Sequence, residues 1–305
     1  MKSTKPEHLL ALALLALTWG SSFILMKYGM FTKSGEKVLE ANQVAALRLL
    51  IAGIVLLPIS ISGLRKVPKE KLKWIALVGL VGSGLPSFLF TNAQRFLDSS
   101  LVGIMNSLTP LFTLVIGIAF FKRLAEPRQT VGILIGLAGA VGLISLNGFG
   151  ANSHWEYSFL ILAATISYGL SANTVQSKLA DVSSLHITSI SLLMAAIPAG
   201  VFVFSGSTPE IITTHHHGWY SFAAVATLAV VGTATANIFY FWLTQQTSAL
   251  VASSVTYLIP IVAVFWGVTD GEHLNVLHLI CGLIVLSGVW LVSRKKKVAK
   301  TSFVD

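Results

Sequence analysis

The sequence predicts an all-α polytopic membrane protein with ten transmembrane helices, arranged as two inverted five-helix repeats. Three observations predict this fold class. The chain has 305 residues, of which 54% are hydrophobic and 11% are charged, whereas soluble domains carry about 25% charged residues. Its apolar residues form ten runs of roughly 17 to 23 residues, each long enough to cross a hydrocarbon core of about 30 Å. Its basic residues are concentrated in alternate loops.

Each apolar run predicts one span. In chain order the runs are Leu9–Met30, Val44–Ile61, Trp74–Thr91, Leu101–Phe121, Thr130–Leu146, Tyr157–Val175, Ile187–Phe204, Ser221–Leu243, Leu250–Val268 and Val276–Val292. The first run starts like a signal peptide, with Lys2 and Lys5 before a leucine-rich stretch. It continues without a small-residue cleavage site, so it predicts a retained first span.

The basic residues predict the orientation of the spans. With the N-terminus inside, the inner segments contain Lys2, Lys5, Arg65, Lys66, Lys69, Lys71, Lys73, Lys122, Arg123, Arg128, Lys178, Arg294, Lys295, Lys296, Lys297 and Lys300. The outer segments contain only Lys33, Lys37 and Arg95. This positive-inside pattern predicts that both termini are cytoplasmic. It also explains the net charge of +9 without a nucleic-acid partner, and it places the basic tail near anionic lipid.

The two halves of the chain resemble each other. TWGSSFILMK in the first run aligns with SYGLSANTVQ in the sixth, and LRLLIA in the second aligns with ISLLMA in the seventh. We predict repeats over residues 1–150 and 151–305. Because five spans is an odd number, the second repeat enters the membrane from the opposite side, as in alternating-access carriers. A channel, or a duplication without such a role, is the alternative.

Pro110 and Pro260 occupy matching positions of the fourth and ninth runs. A proline inside a helix removes a hydrogen bond and costs about 3 kcal/mol or more. In a membrane, the freed carbonyl needs another partner, and polar residues lie within one turn of each proline. Paired helix-breaking prolines indicate a binding site near the membrane midplane. A kink that only shapes packing is the alternative.

The chain resembles the EamA family of the drug/metabolite transporter superfamily along nearly its whole length. The resemblance rests on WGSSFILMK, AALRLL and VVGTATANIFYFWLTQQTSALVASSVTYLIPIVAVFWGVTDGEHL. The last segment has Glu272 twelve residues after its proline, whereas the first half has Lys122 at the corresponding position. The resemblance implies a ten-helix carrier whose cavity is lined mainly by helices one, three, four, six, eight and nine. It also implies transport of amino acids, other small metabolites or drugs, often outward.

Polar and aromatic side chains on these helices are the candidate substrate-binding residues. They are Trp19, Ser22, Asn92, Asn106, Thr109, Tyr168, Asn173, Asn237, Tyr240, Thr256 and Tyr257. Such groups offer hydrogen bonds, and their aromatic faces cover apolar or cationic groups. Hydrogen bonding between helices, which contributes about 0.6–2 kcal/mol per bond, is the alternative for each of them.

Lys27 and Arg48 are the two basic residues that fall within the runs away from the inner face. Both are placed near the outer end, where a long basic side chain can reach the interface. We predict that they line an outer vestibule, either with a structural partner or by attracting an anionic group such as a carboxylate.

The acidic residues all fall in loops, termini or span ends, so none lies at midplane depth. Buried acids are common proton relays and counter-ions for cationic substrates. The sequence therefore favours a secondary-type transporter, an exporter or facilitator, for small metabolites such as amino acids. A drug or toxic-compound exporter is the alternative. We expect a bacterial inner-membrane location.

Other functional classes have little support in the sequence. Motifs for an intramembrane enzyme, a metal centre or a cofactor site are absent, so no catalytic residue, metal or cofactor is predicted. Three consecutive histidines, His215, His216 and His217, lie in a predicted outer loop, and incidental weak metal binding is the expectation for them. The small-residue spacing in the fifth and tenth runs predicts close helix contacts, within one chain or between two.

Overall fold

The structure is a computed structural model that describes residues 6–124, 126–146, 154–272 and 275–293. Helices dominate this part of the chain, and one isolated bridge joins Phe31 to Lys37 in the loop after the first helix. The basic residues predicted for the two termini lie outside the described residues: Lys2, Lys5, Arg294, Lys295, Lys296, Lys297 and Lys300.

Each predicted apolar run falls on a helical span. The spans are Pro6–Met30 (span 1), Ala41–Val55 with Leu57–Lys66 (span 2), Lys69–Ala93 (span 3), Ser99–Phe121 (span 4), Pro127–Leu146 (span 5), Trp155–Lys178 (span 6), Ser184–Ser205 (span 7), Gly218–Gln246 (span 8), Ala249–Thr269 (span 9) and Val276–Ser293 (span 10). Among the described residues, eight are long and apolar enough to cross a bilayer as single helices. Span 2 is a bent pair of helices, and span 10 is shorter.

Span 2 bends by 66° between Val55 and Leu57. In the sequence this stretch is one apolar run, which does not predict the bend. Pro58 is the second residue of the helix that follows the bend, and its missing N–H leaves the preceding turn incomplete. The Ser60 hydroxyl bonds to the Leu56 carbonyl at 2.9 Å, and it also lies 2.8 Å from a backbone carbonyl of span 7. Span 2 is therefore fixed to span 7 at its bend.

The α-helix is interrupted in spans 4 and 9 just before each of the paired prolines. In span 4 one helix ends at Asn106 and the next begins at Thr109, while span 9 contains a 3-10 turn over Ser254–Tyr257. Pro110 and Pro260 are each the second residue of the helix that follows. The Thr109 hydroxyl donates to the Asn106 carbonyl at 2.7 Å. That carbonyl would otherwise accept from the N–H that Pro110 lacks.

Spans 3 and 8 each contain a π-helical segment, Leu80–Gly84 and Leu228–Thr235. Hydrogen bonds in a π-helical turn join residues five apart, one more than in an α-helix, and such turns are frequent at functional sites. The two segments occupy matching places of the two repeats, about 150 residues apart. Gly82 and Ser83 of the first segment face the central cavity, and Gly232 of the second lies against the Ser22 side chain.

Spans 5 and 10 pack closely through glycines at the edge of the bundle. A Cβ atom at Gly132 would lie 2.6 Å from the Gly288 carbonyl oxygen, and one at Gly288 would lie 2.4 Å from the backbone nitrogen of Gly136. Small residues let helix backbones approach in this way. This glycine contact lies within one chain, the first of the two alternatives that the sequence left open. Large apolar side chains such as Leu134 and Leu283 face outward from this pair.

Candidate functional site

A cavity of about 60 Å³ lies in the centre of the bundle. Its wall is formed by Trp19, Ser22, Phe23, Met26, Arg48, Gly82, Ser83, Phe90, Asn106, Thr109, Tyr168, Ser171, Asn237, Tyr240, Phe241 and Thr256. These residues come from spans 1, 3, 4, 6, 8 and 9, the set implied by the family resemblance, and from span 2 through Arg48. The space is large enough for a few water molecules, and it is bordered by helices of both repeats.

Most of the predicted substrate-binding residues lie in this wall. They are Trp19, Ser22, Asn106, Thr109, Tyr168, Asn237, Tyr240 and Thr256. Asn106 and Thr256 are brought there by the interruptions in spans 4 and 9, and Asn237 donates to the Ser83 hydroxyl at 2.9 Å across two spans. Their role in binding a substrate stays a prediction.

Three predicted residues lie elsewhere and connect helices. The Asn92 amide donates to Asn42 at 2.7 Å, which joins span 3 to span 2. The Asn173 amide donates to a backbone carbonyl of span 4 at 2.8 Å. The Tyr257 hydroxyl donates to the Val289 carbonyl of span 10. For these three, the structure supports the alternative of interhelical hydrogen bonding.

Two aromatic pairs line the cavity and are related by the repeat. Trp19 packs on Tyr240 with ring centroids 5.1 Å apart, and Tyr168 packs on Phe90 at 5.8 Å. Trp19 aligns with Tyr168, and Phe90 lies 150 residues before Tyr240. Each pair therefore joins the first span of one repeat to the third span of the other repeat. The Trp19 indole N–H is already used, since it donates to the Gly232 carbonyl at 2.9 Å.

Two glycine–serine contacts follow the same symmetry. A Cβ atom at Gly82 would lie 2.4 Å from the Ser171 hydroxyl, and one at Gly232 would lie 2.8 Å from the Ser22 hydroxyl. The glycines are 150 residues apart, and the serines align in the repeat. Neither glycine was predicted as part of the site, although their matching positions in the two repeats were a signal. The buried Ser171 hydroxyl has no hydrogen-bond partner among the described residues.

Arg48 lies in the cavity wall and not in an outer vestibule, which corrects the prediction. Its side chain is 8% exposed, and its Nε donates to the Thr233 hydroxyl at 2.6 Å. The physical reason is the depth of the residue. Span 2 begins at Ala41, three residues before the predicted start at Val44, so Arg48 lies about two helical turns inside.

Lys27 has structural partners at the outer end of the bundle, one of the two predicted alternatives. Its ammonium lies 2.6 Å from Asp270 and 3.2 Å from Glu272. We call these three residues the outer ion cluster. Both carboxylates come from the end of span 9, so the cluster connects the first span of one repeat to the fourth span of the other.

Glu272 also caps the first helix of span 4. Its carboxylate accepts from the backbone N–H groups of Ser99 and Ser100, both at 3.0 Å, and from the Ser100 hydroxyl at 2.7 Å. Burial raises the pKa of this carboxyl, but the hydrogen bonds from Ser100 and Ser99 and the charge of Lys27 outweigh burial and lower it below the ordinary 4.5. Glu272 is therefore ionised at neutral pH.

A different set of groups occupies the equivalent place at the inner end. Gln176, which aligns with Lys27, accepts from the Arg123 guanidinium and from the Ala249 backbone N–H at 3.1 Å. Ala249 begins span 9, as Ser99 begins span 4. The inner end thus uses a neutral acceptor and a loop cation where the outer end uses a cation and two acids. From the sequence, Arg123 counted only toward the charge asymmetry between the two faces, and its contact with Gln176 was not predicted.

The three consecutive histidines lie around the carboxylate of Glu36, a contact that was not predicted from the sequence. Glu36 lies in the loop after span 1, and its oxygens are 3.3 Å from His215 Nε2, 3.4 Å from His216 Nε2 and 3.8 Å from His217 Nε2. His215 Nδ1 already accepts the His217 backbone N–H at 3.1 Å. The group is partly exposed, and the expectation of weak, incidental metal binding stays a prediction.

The fold and the cavity define a polytopic membrane protein of the inverted-repeat class. The chain belongs to the EamA-like transporter family, whose family model matches it twice, over residues 7–145 and 155–294. The resemblance noted from the sequence is thereby confirmed, and so is the membrane fold built from two repeats. The protein is a membrane transporter, which is a class distinct from enzymes.

Several known proteins are similar to the chain over most of their length. An uncharacterized transporter of Archaeoglobus fulgidus is 24% identical, with 94% of this chain and 99% of that protein covered. The uncharacterized inner membrane transporter YedA of Escherichia coli K12 is 28% identical, with 94% and 90% covered. One solved crystal structure has a TM-score of 0.64 at 17% identity, covering 94% of this chain and 96% of that one. That similarity concerns the fold alone.

Proposed function

We propose that this protein is an alternating-access transporter for small metabolites such as amino acids, an exporter or a facilitator. One observation carries the proposal. Polar and aromatic side chains from paired positions of both repeats, including Asn106 with Thr256 and Trp19 with Tyr168, form the wall of one central cavity. A site shared by two inverted repeats is what alternating access requires, because the two repeats exchange conformations around it.

The two ends of the bundle supply contacts that such a cycle has to open and close. The outer ion cluster joins spans 1 and 9 and caps span 4, while Gln176 joins the inner end of span 6 to span 9 and to Arg123. Both sets are formed in this structure. Opening either end breaks one set and leaves the other intact, so the difference between the sets biases which side opens.

The composition of the wall favours metabolites over lipophilic cations. Arg48 is charged, and the other lining residues are neutral. A cationic drug is usually balanced by a buried acid, and none of the described lining residues supplies one. Drug or toxic-compound efflux remains the second candidate, supported by the aromatic faces of Phe23, Phe90 and Phe241.

We further propose that the protein lies in a bacterial inner membrane with both termini in the cytoplasm. The inner membrane is named for the similar protein YedA. The charge asymmetry between the two sides supports the orientation of the termini.

Counterflow in proteoliposomes tests the proposed function. Vesicles preloaded with an unlabelled neutral amino acid, with no ion gradient, receive a trace of the same labelled compound. We expect transient uptake for at least one member of a panel of amino acids and small metabolites, and reduced uptake for Thr256→Ala. Protein-free vesicles are the control. Transport of lipophilic cations alone would favour the second candidate, and a correctly folded protein without exchange of either class would contradict the proposal.

A further inference from the structure

Arg48 is a charged side chain in the wall of a neutral cavity. It is 8% exposed. Its two hydrogen-bond contacts go to neutral groups, the Thr233 hydroxyl at 2.6 Å and the Met26 sulfur at 3.8 Å. A guanidinium offers five N–H donors and stays protonated at any physiological pH, and a thioether is a weak acceptor. Most of the hydrogen-bonding capacity of Arg48 is therefore not used by these contacts.

The charge of Arg48 has no acidic partner among the described residues. Arg48 takes part in none of the ion pairs among the described residues. Its neighbours in the cavity wall include no aspartate or glutamate. Lys27 shows the contrast, because Asp270 and Glu272 neutralise it. A buried charge without a partner is unfavourable, so an anion bound in the cavity would remove that cost.

Arg48 also breaks the symmetry of the cavity. Other lining residues occur in matched positions of the two repeats, such as Ser22 with Ser171 and Trp19 with Tyr168. In the repeat alignment Arg48 corresponds to Ser191, which is neutral. The positive charge is thus present on one side of an otherwise paired wall. A solute with one negative end and one apolar end would bind in a single orientation.

We propose that Arg48 is the subsite for the carboxylate of the transported solute. This inference rests on the transport function proposed above and names its substrate class, small monocarboxylates that include zwitterionic amino acids. A carboxylate matches the planar fork of a guanidinium with two parallel hydrogen bonds. The aromatic wall formed by Trp19, Tyr240 and Phe90 accepts the rest of the molecule, and the unpartnered Ser171 hydroxyl offers a further hydrogen bond.

A purely structural role for Arg48 makes a different prediction. Thr233 lies in the π-helical segment of span 8, and its hydroxyl bonds to the Leu228 carbonyl at 3.1 Å. If Arg48 served only to hold this segment, Thr233→Val would have the same effect as Arg48→Gln. If Arg48 binds a carboxylate, Thr233→Val keeps the charge and therefore keeps the preference for acids.

The experiment compares acids with their amides. Thermal stabilisation of the purified full-length protein is measured with L-leucine, L-leucinamide, L-phenylalanine and L-phenylalaninamide, and counterflow is measured with the same labelled probes. The acid and its amide differ in the carboxylate and share the side chain and the amine. We expect wild type to bind at least one acid about tenfold or more tightly than its amide. Arg48→Gln should abolish this preference and Arg48→Lys should reduce it, whereas Thr233→Val should retain it.

Arg65→Gln, at an exposed arginine of span 2, is the matched control and should behave like wild type. Equal binding of acid and amide by wild type would overturn the proposal, and this comparison does not require any variant to fold. Acid preference that survives in Arg48→Gln would also overturn it. Stabilisation by chloride or phosphate alone, at the same concentration, would show a site for inorganic anions and contradict a carboxylate subsite.

The two proposals fail in different ways. Arg48-dependent binding of acids without counterflow would leave the subsite standing and contradict the transport function. Counterflow of acids and amides at equal rates would leave the transport function standing and contradict the subsite.

Discussion

The carboxylate of Glu272 accepts both the backbone N–H of Ser100, at 3.0 Å, and the Ser100 hydroxyl, at 2.7 Å. Glu272 follows span 9 of the second repeat, and Ser100 begins span 4 of the first. The negative charge therefore lies at the N-terminus of a helix, where the helix dipole is positive. Because Lys27 of span 1 binds the same carboxylate, three spans meet at one side chain at the outer end.

Glu272→Gln should destabilise the outer end of the bundle. It removes the charge that pairs with Lys27 and weakens the cap on span 4, and hydrogen bonds to charged groups contribute about 1.5–3 kcal/mol each. We expect a lower melting temperature in detergent and greater access to the cavity from outside. Glu70→Gln, an exposed acid in the first turn of span 3, is the control. A melting temperature equal to that of wild type would contradict the role of Glu272.

The stability due to Glu272 should depend on pH in a defined direction. Hydrogen bonds from Ser100 and Ser99 and the charge of Lys27 outweigh burial and lower its pKa below 4.5. A carboxyl with a lowered pKa stabilises the folded state above its ordinary pKa, and it loses that contribution as the pH falls through the folded-state value. The difference in melting temperature between wild type and Glu272→Gln should stay constant from pH 7 to about pH 5 and shrink as the pH falls through 4.5 and below. The unfolded-state carboxyl begins to titrate at about pH 5. A difference in melting temperature that already shrinks between about pH 7 and pH 5 would contradict a lowered pKa of Glu272.

Asn106→Ala should impair transport, and Asn92→Ala should not. The sequence placed both asparagines in the site, but only Asn106 lies in the cavity wall, while Asn92 bonds to Asn42. We expect Asn106→Ala to lower the counterflow rate by about tenfold, the effect of losing about 1.4 kcal/mol of interaction with the solute. Counterflow rates normalised to the amount of folded protein provide the measurement. Similar losses in both variants would place the site outside this cavity.

Gly288→Ala should destabilise the contact between spans 5 and 10. A Cβ atom there would lie 2.4 Å from the Gly136 nitrogen, so the backbones must separate. Overpacking of this kind costs about 1–3 kcal/mol. Gly282→Ala in the same helix is the control, because its nearest neighbour is a side-chain atom of Ile104 at 3.1 Å. Equal melting temperatures for the two variants would show that this close contact is not maintained in the membrane protein.

Much of this architecture could be predicted from the sequence because lipid imposes strong rules on it. Apolar runs of sufficient length predicted all ten spans, and the paired prolines, Pro110 and Pro260, predicted where spans 4 and 9 are interrupted. Both features depend on local chemistry. A helix in hydrocarbon must satisfy its own backbone, and a proline in the interior of a helix removes one of its hydrogen bonds.

The contacts that were not predicted depend on which helix lies next to which. Asn173 and Tyr257 have the composition of binding residues, yet their neighbours are backbone carbonyls of adjacent spans. Arg123 and Glu36 lie in loops. Arg123 contacts Gln176 and Glu36 contacts the three histidines, and both partners are distant in the chain. Apolar periodicity contains no signal for such pairings.

One measurement tests the central claim, a single cavity reached alternately from the two sides of the membrane. Cys281 is the only cysteine in the chain, so Cys281→Ala with Ser22→Cys places one thiol in the cavity wall. A membrane-impermeant maleimide is added to oriented vesicles from outside or from inside, with Cys281→Ala alone as the control. We predict that the thiol is labelled from each side of the membrane, and that a transported solute slows the labelling from both sides. Labelling from neither side, or labelling from one side only and unaffected by the solute, would contradict it.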